Sequence, residues 1–170
     1  MAAAIIQGAV VVGLTVFLVL GQISILKPEV SRVIAYGGAE AWFTFGYLSY
    51  ILVDVIGVAV SSISYHYLVL SFTRSRNALA WIHLLLMNIG TNAASGMMMY
   101  AGYHGGAAML PIAIIGRGFD AQQAHNIMSP FVEPIGLSIL LILAGVVVGE
   151  VVFLLGYRSE QQEFRETQLS

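Results

Sequence analysis

From Ala2 to Leu26 the sequence carries no charged side chain, and the first charge, Lys27, comes only after the apolar run has ended. A helix needs about 20 mostly apolar residues, at about 1.5 Å rise each, to cross a hydrocarbon core of about 30 Å. Three further stretches meet that requirement: Trp42 to Phe72, Ala78 to Tyr100 and Glu133 to Tyr157. The second is long enough to tilt or to project beyond the bilayer. A secretory leader places basic residues ahead of a shorter apolar core, so the first stretch is expected to be a retained helix. The fold class that follows is all-α: a single integral membrane bundle of four transmembrane helices, residues 2–26, 42–72, 78–100 and 133–157.

Composition supports a bilayer as the solvent. Only 9% of the 170 residues are charged, against about 25% in soluble domains, and a soluble chain of this size could not hide the 58% that are apolar. A net charge of −2 excludes an electrostatic nucleic-acid partner, which would need a basic surface. With no cysteine there is no disulfide, iron–sulfur cluster, thiolate zinc site or c-type haem attachment.

Turn signals divide the spans. Lys27-Pro28-Glu29 and Gly37-Gly38 bracket the first connection, and Thr73 to Asn77 reads as a tight polar turn. The long connection 101–131 holds Gly105-Gly106, an apolar piece (Ala107 to Ile115) interrupted by Pro111, and Gly116-Arg117-Gly118-Phe119-Asp120. Connections of that length have a function or pack on a neighbour, and the piece around Pro111 fits an interfacial segment. A polar tail, 158–170, follows with Glu160, Glu163 and Glu166. Four helices put both termini on one side, with Arg74, Arg76, Arg158 and Arg165, against Lys27, Arg32 and Arg117 on the other. The positive-inside rule then predicts a multi-pass protein of the cell membrane with both termini in the cytoplasm. No repeat of the kind found in inverted-repeat transporters is visible.

Polar residues within the spans are the candidate functional residues, because a charge at membrane depth costs about 2.5 kcal/mol or more. Asp54 in the second span and Glu150 in the fourth can be read as a proton relay or as interhelical hydrogen bonds. His66 and His83 lie near the cytoplasmic ends of adjacent helices and can be read as interfacial side chains or as haem or quinone contacts. His104 and His125 in the long connection lack the carboxylate pattern of a metal site. Met97-Met98-Met99 reads as adaptable packing rather than a copper site, since consecutive residues point different ways on a helix.

The third span carries Asn88, Thr91, Asn92 and Ser95 at helical spacing beside Gly90, Ala94 and Gly96. Small residues let helix backbones approach and amides bond across helices, so this stripe is expected to face protein. Its counterpart is the face of the second span bearing Asp54, Gly57, Ser61 and Ser64. The Gly145/Gly149 GxxxG seam of the fourth span is left for the first helix or for a foreign subunit.

From Trp42 onward the order of features also resembles a known family. Trp81-Ile82-His83-Leu84-Leu85-Leu86-Met87-Asn88-Ile89-Gly90-Thr91-Asn92, then a glycine-rich connection with Pro111 and Phe119-Asp120-Ala121, then a last apolar helix ending in charges, are similar to the last three helices of heme-copper oxidase subunit I. In that family the preceding helix opens with a His-aromatic-His motif that ligates both haem irons. The similar position here reads Thr44-Phe45-Gly46-Tyr47-Leu48, which cannot ligate iron, and the family's copper-ligand histidines lie on earlier helices with no counterpart in this sequence. The resemblance implies a shortened relative without the binuclear centre. Its expected role is that of a non-catalytic accessory subunit, in contact with lipid and with other membrane subunits of a respiratory complex, most simply a terminal oxidase. No cofactor is expected as first choice; the alternative is a haem- or quinone-binding electron-transfer protein using His66 and His83.

Overall fold

The computed structural model describes residues 2–36, 38–68 and 73–169, apart from the side chains at 68, 160, 163, 164 and 166–169. Among the described residues the chain is all-helical, without strands. Its order is α1 (Ala2–Ser24), α2 (Val30–Ala35), α3 (Glu40–Ser49), a π-helical segment (Tyr50–Gly57) and α4 (Val58–Leu68), followed by α5 (Arg74–Met109), a 3-10 turn (Ile112–Ile114), α6 (Ala121–Met128), a second 3-10 turn (Ser129–Phe131) and α7 (Val132–Leu169).

Three of the described helical runs are long and apolar enough to cross a membrane: Ala2–Ser24, Glu40–Tyr67 and Ala121–Ser159. The expected third span, within α5, is not among them. The reason is its stripe of His83, Asn88, Thr91, Asn92 and Ser95 with intervening glycines, which lowers its hydropathy. Position explains how it tolerates that stripe. It lies at the centre of the bundle, packed along α7 on one side and α3 on the other, and buries more residues than any other described helix. By contrast, α1 buries only Gly21.

The helices alternate in direction. Arg76 Nη1 of α5 donates to Ser159 Oγ of α7 at 3.0 Å, and the start of α1 shares a cleft with Tyr65 and Asn77. The opposite end is closed by Tyr103, whose hydroxyl donates to the Pro28 carbonyl at 2.8 Å. There Ala39, Ala101 and Met128 form a small buried core, flanked by Trp42, Met109 and Phe131.

Several boundaries differ from those read in the sequence. The second span starts at Glu40 and its expected end, 69–72, lies outside the described residues. The third extends from Arg74 to Met109 rather than from 78 to 100. Its start is set by Thr73, whose hydroxyl caps the backbone N–H of Arg76. Its end runs deep into the expected long connection because Gly102, Gly105 and Gly106 are contact points within the helix rather than breakers. A Cβ on Gly102 would collide with the Phe43 backbone, and one on Gly105 would lie 2.6 Å from Met128 Sδ. The rest of 101–131 is also largely structured, with a reciprocal cap opening α6: Asp120 Oδ1 accepts from Gln123 N–H at 2.8 Å, and Gln123 Oε1 accepts from Asp120 N–H at 3.0 Å. The tail 158–169 continues α7 as a helix; its Glu, Gln and Arg residues are good helix formers, with no Gly or Pro to stop them. The side chains of Glu160, Glu163 and Glu166 lie outside the described residues.

Close approach makes the α3–α5 contact sensitive to volume. A Cβ on Gly46 would sit 2.7 Å from the Ser95 carbonyl, whereas one on Gly13 of α1 would meet nothing within 4 Å. Gly46→Leu is therefore expected to cost about 1–3 kcal/mol by overpacking, and Gly13→Leu to stay within about 0.5 kcal/mol. Unfolding of both variants in detergent micelles checks the contrast.

Candidate functional site

The polar side chains of the spans form two clusters. The first joins α1, the π-helical segment and α5. Gln7 Oε1 accepts the Tyr50 hydroxyl, and Gln7 Nε2 donates to Asn88 Oδ1 at 2.6 Å. Asn88 Nδ2 in turn donates to the Leu84 carbonyl of its own helix at 2.7 Å. One turn on, Asn92 Nδ2 divides its two hydrogens between Asp54 Oδ2, at 2.6 Å, and the Asn88 carbonyl, at 2.8 Å. Asp54 is fully buried. Of the face expected to meet the α5 stripe, Asp54 pairs with Asn92 and Ser61 meets His83, whereas a Cβ on Gly57 would meet only the Leu52 carbonyl of its own segment. The π-helical segment that carries Asp54 also buries Tyr50; such i→i+5 stretches concentrate at functional sites, and sequence spacing gave no signal for this one.

Among the described residues the far oxygen of Asp54, Oδ1, has no hydrogen-bond partner, nor do the buried hydroxyls of Thr91 and Ser95. A carboxyl in this setting can accept the Asn92 amide through Oδ2 whether or not it carries a proton, and Oδ1 is the atom that would hold one. Glu150 does not join this cluster: it is exposed on α7 while Asp54 is enclosed. The two carboxylates are not brought together as a relay.

The second cluster surrounds His83. Its Nδ1–H donates to the Gly145 carbonyl at 2.8 Å, which leaves Nε2 as the acceptor for the Ser61 hydroxyl at 3.4 Å. Tyr65 meets the ring edge-on, with centroids 5.8 Å apart. Gly149 leaves the space for the imidazole, since a Cβ there would overlap the ring. His66 is exposed and lies against Tyr67. The structure therefore engages both ring nitrogens of His83 and turns His66 elsewhere; it does not present the two imidazoles as a facing pair. Of the histidines of the connection, His104 lies against Tyr100 and His125 is exposed. Among the described residues no group of three or more His, Asp or Glu side chains gathers as a metal site.

Two face assignments change. The GxxxG seam does not await the first helix or a foreign subunit: Gly145 and Gly149 are buried against Leu86, Met87 and His83 of α5. The stripe on α5, in turn, is split. Thr91 and Ser95 are buried, but Asn92 and Gly96 are exposed, and nothing lies within 4 Å of a Cβ on Gly96. The 3.6-residue period places Asn92 and Thr91 about 100° apart, so one polar run can serve an inner and an outer face.

Comparison of the chain with protein-family models, with curated proteins and with solved structures finds no match.

Two measurements probe these clusters. Gly149→Leu is expected to displace the His83 ring and lower stability by about 1–3 kcal/mol; an unchanged unfolding midpoint would contradict the α5–α7 seam. Asn92→Leu should cost about 1–3 kcal/mol by stranding the buried Asp54 carboxyl, and Asp54→Leu should cost less, because Asn92 is exposed and keeps its bond to the Asn88 carbonyl. Their combination should cost less than the sum by at least about 0.5 kcal/mol, read from a double-mutant cycle.

Proposed function

We propose that this chain is a non-catalytic accessory subunit of a membrane respiratory complex, a terminal oxidase by its resemblance, in which it packs against helices of neighbouring subunits. In this reading α5 crosses the bilayer as a fourth helix, shielded by α3 and α7. Both termini face the cytoplasm, with Arg74, Arg76, Arg158 and Arg165 at that end.

The observation that carries the reading is Glu150. It lies seven residues before Tyr157, about 10 Å inside the polar end of the helix. It is exposed, and on its own helix Val146, Val147, Val151 and Leu154 around it are exposed as well. Exposed valines and leucines are what lipid requires and identify no partner. A carboxylate at that depth, without an ion pair or hydrogen bond among the described residues, would cost about 2.5 kcal/mol or more against lipid. A neighbouring helix offering Arg, Lys or a hydrogen-bond donor removes that cost. The exposed Asn92, with its carbonyl oxygen unbonded, adds a second polar group of the same kind. The respiratory host rests on the likeness of the chain from about Trp42 onward to the last three helices of heme-copper oxidase subunit I, with Thr44 and Gly46 where ligand histidines would stand.

The test is purification of the tagged chain from native membranes. Redox subunits should co-migrate with it. Glu150→Leu should release them while the isolated chain unfolds at the same or a higher temperature, and Glu150→Gln should retain them. A stable homo-oligomer without redox partners, or unchanged association of the Glu150→Leu variant, defeats the proposal.

One observation favours a second reading, quinone binding. A cleft of about 520 Å³ between α1, α4 and α5 is walled by Ile6, Tyr65, Trp81 and Leu84, with Ser62 and Asn77 as polar groups. Apolar walls with a few placed polar groups suit a flat, weakly polar ring. Organic extraction of the purified chain should then yield a quinone that is lost in Trp81→Ala; extraction of lipid alone removes this reading.

A further inference from the structure

At the end of the bundle away from the start of α5, that helix finishes in a tight chain reversal. The N–H groups of Arg117 and Phe119 both donate to the Ala108 carbonyl, at 3.2 and 3.0 Å, and that of Gly118 donates to the Leu110 carbonyl at 2.8 Å. These bonds satisfy carbonyls that the end of a helix otherwise leaves open. Gly116 permits the wrap, because a Cβ there would collide with the Leu110 carbonyl. Ile115 and Gly118 take the left-handed conformation, with φ of 70° and 66°. The reversal is fixed by backbone bonds, so the Arg117 side chain is free of structural duty in it.

That side chain lines a cleft of about 440 Å³. Lys27, Tyr103, His104 and Arg117 supply its polar wall, Ile115 and Phe131 part of its apolar one, and no carboxylate lines it. Arg117 forms no ion pair among the described residues and has only the Phe119 ring, 5.8 Å away, as a neighbour for its charge. Lys27 is partly neutralised outside the cleft by Glu29, at 2.9 Å. The Lys27 hydrogen bond holds the Glu29 carboxyl below the usual 4.5. The excess positive charge of the cleft is therefore that of Arg117, beside an apolar wall at the end of a membrane bundle.

We propose that this cleft binds an anionic phospholipid, its phosphate held by the Arg117 guanidinium with Lys27 as the second cation, and its acyl chains lying along Ile115 and Phe131. A guanidinium fork matches two phosphate oxygens, which an ammonium cannot reproduce. An anionic headgroup is the electrostatic complement of a cleft with excess positive charge. The proposal requires only that the chain sits in a bilayer and is independent of its partners.

The test uses the full chain in neutral detergent, with lipid binding read by native mass spectrometry and by shifts in thermal unfolding. Phosphatidylglycerol is expected to bind about tenfold more tightly than phosphatidylcholine, and Arg117→Gln to lose about tenfold. Arg117→Lys should fall between, and high salt should weaken binding of the wild type. If Arg117→Gln does not fold, Lys27→Gln, in the exposed α1–α2 connection, carries the same comparison. Equal binding of the two lipids, or unchanged phosphatidylglycerol binding in the folded variants, overturns the proposal. Saturation of the site by inorganic phosphate alone also overturns it, by assigning the site to free phosphate.

Discussion

A helix that carries five polar side chains along its middle needs neighbours that bury or bond them, and in α5 four of the five are at least partly buried while the exposed Asn92 bonds the enclosed Asp54. That constraint on α5 organises the rest of the structure. It dictates that α3 and α7 flank α5 closely, and closeness dictates glycine at the crossings: Gly46 and Gly102 where α3 meets α5, Gly149 where α7 admits His83. Without a hydrophobic drive between helices in lipid, such contacts and interhelical hydrogen bonds supply the association. The least apolar of the long helices is accordingly the most buried, and the strongly apolar α1 contributes little beyond Gln7 and Thr15 to the interior.

Gln7 matters out of proportion to the helix that bears it. Through Tyr50 and Asn88 it connects α1 to the π-helical segment and to α5, while Thr15 meets the Tyr47 hydroxyl at 2.7 Å. An otherwise apolar helix is thereby fixed in rotation as well as position. Apolar contact alone would leave rotation weakly specified, since one row of Val and Leu resembles another. Directional bonds to an amide do not allow that freedom.

The two ends of the molecule are built differently. One end gathers Arg76 and Ser159 beside the start of α1. The other is a compact assembly of the α1–α2 connection, the chain reversal after α5, and α6, joined by the Tyr103–Pro28 bond and the Ala39–Ala101–Met128 core. Most of the order in the expected long connection comes from this assembly, which ties α6 and the flanking turns onto α5.

The sequence by itself determined the helical class, the apolar runs, and the pairing of Asp54 with the amide stripe of α5, because hydropathy and the 3.6-residue period are local properties. It could not determine where α5 ends. Gly102, Gly105 and Gly106 are breakers by propensity, and only the backbone of Phe43 and the side chains of Met128 and Val33 pressing on them show why glycine sits inside a helix there. Nor could it tell the inner seam from the outer face. Gly145 and Gly149 look the same whether they meet a helix of this chain or of another, and Asn92 differs from Thr91 only by a rotation about the helix axis. Which face turns inward depends on what the neighbouring helices present at the same height. That is a property of the tertiary arrangement, set by the depth at which His83 meets the Gly145 carbonyl and Asp54 meets Asn92.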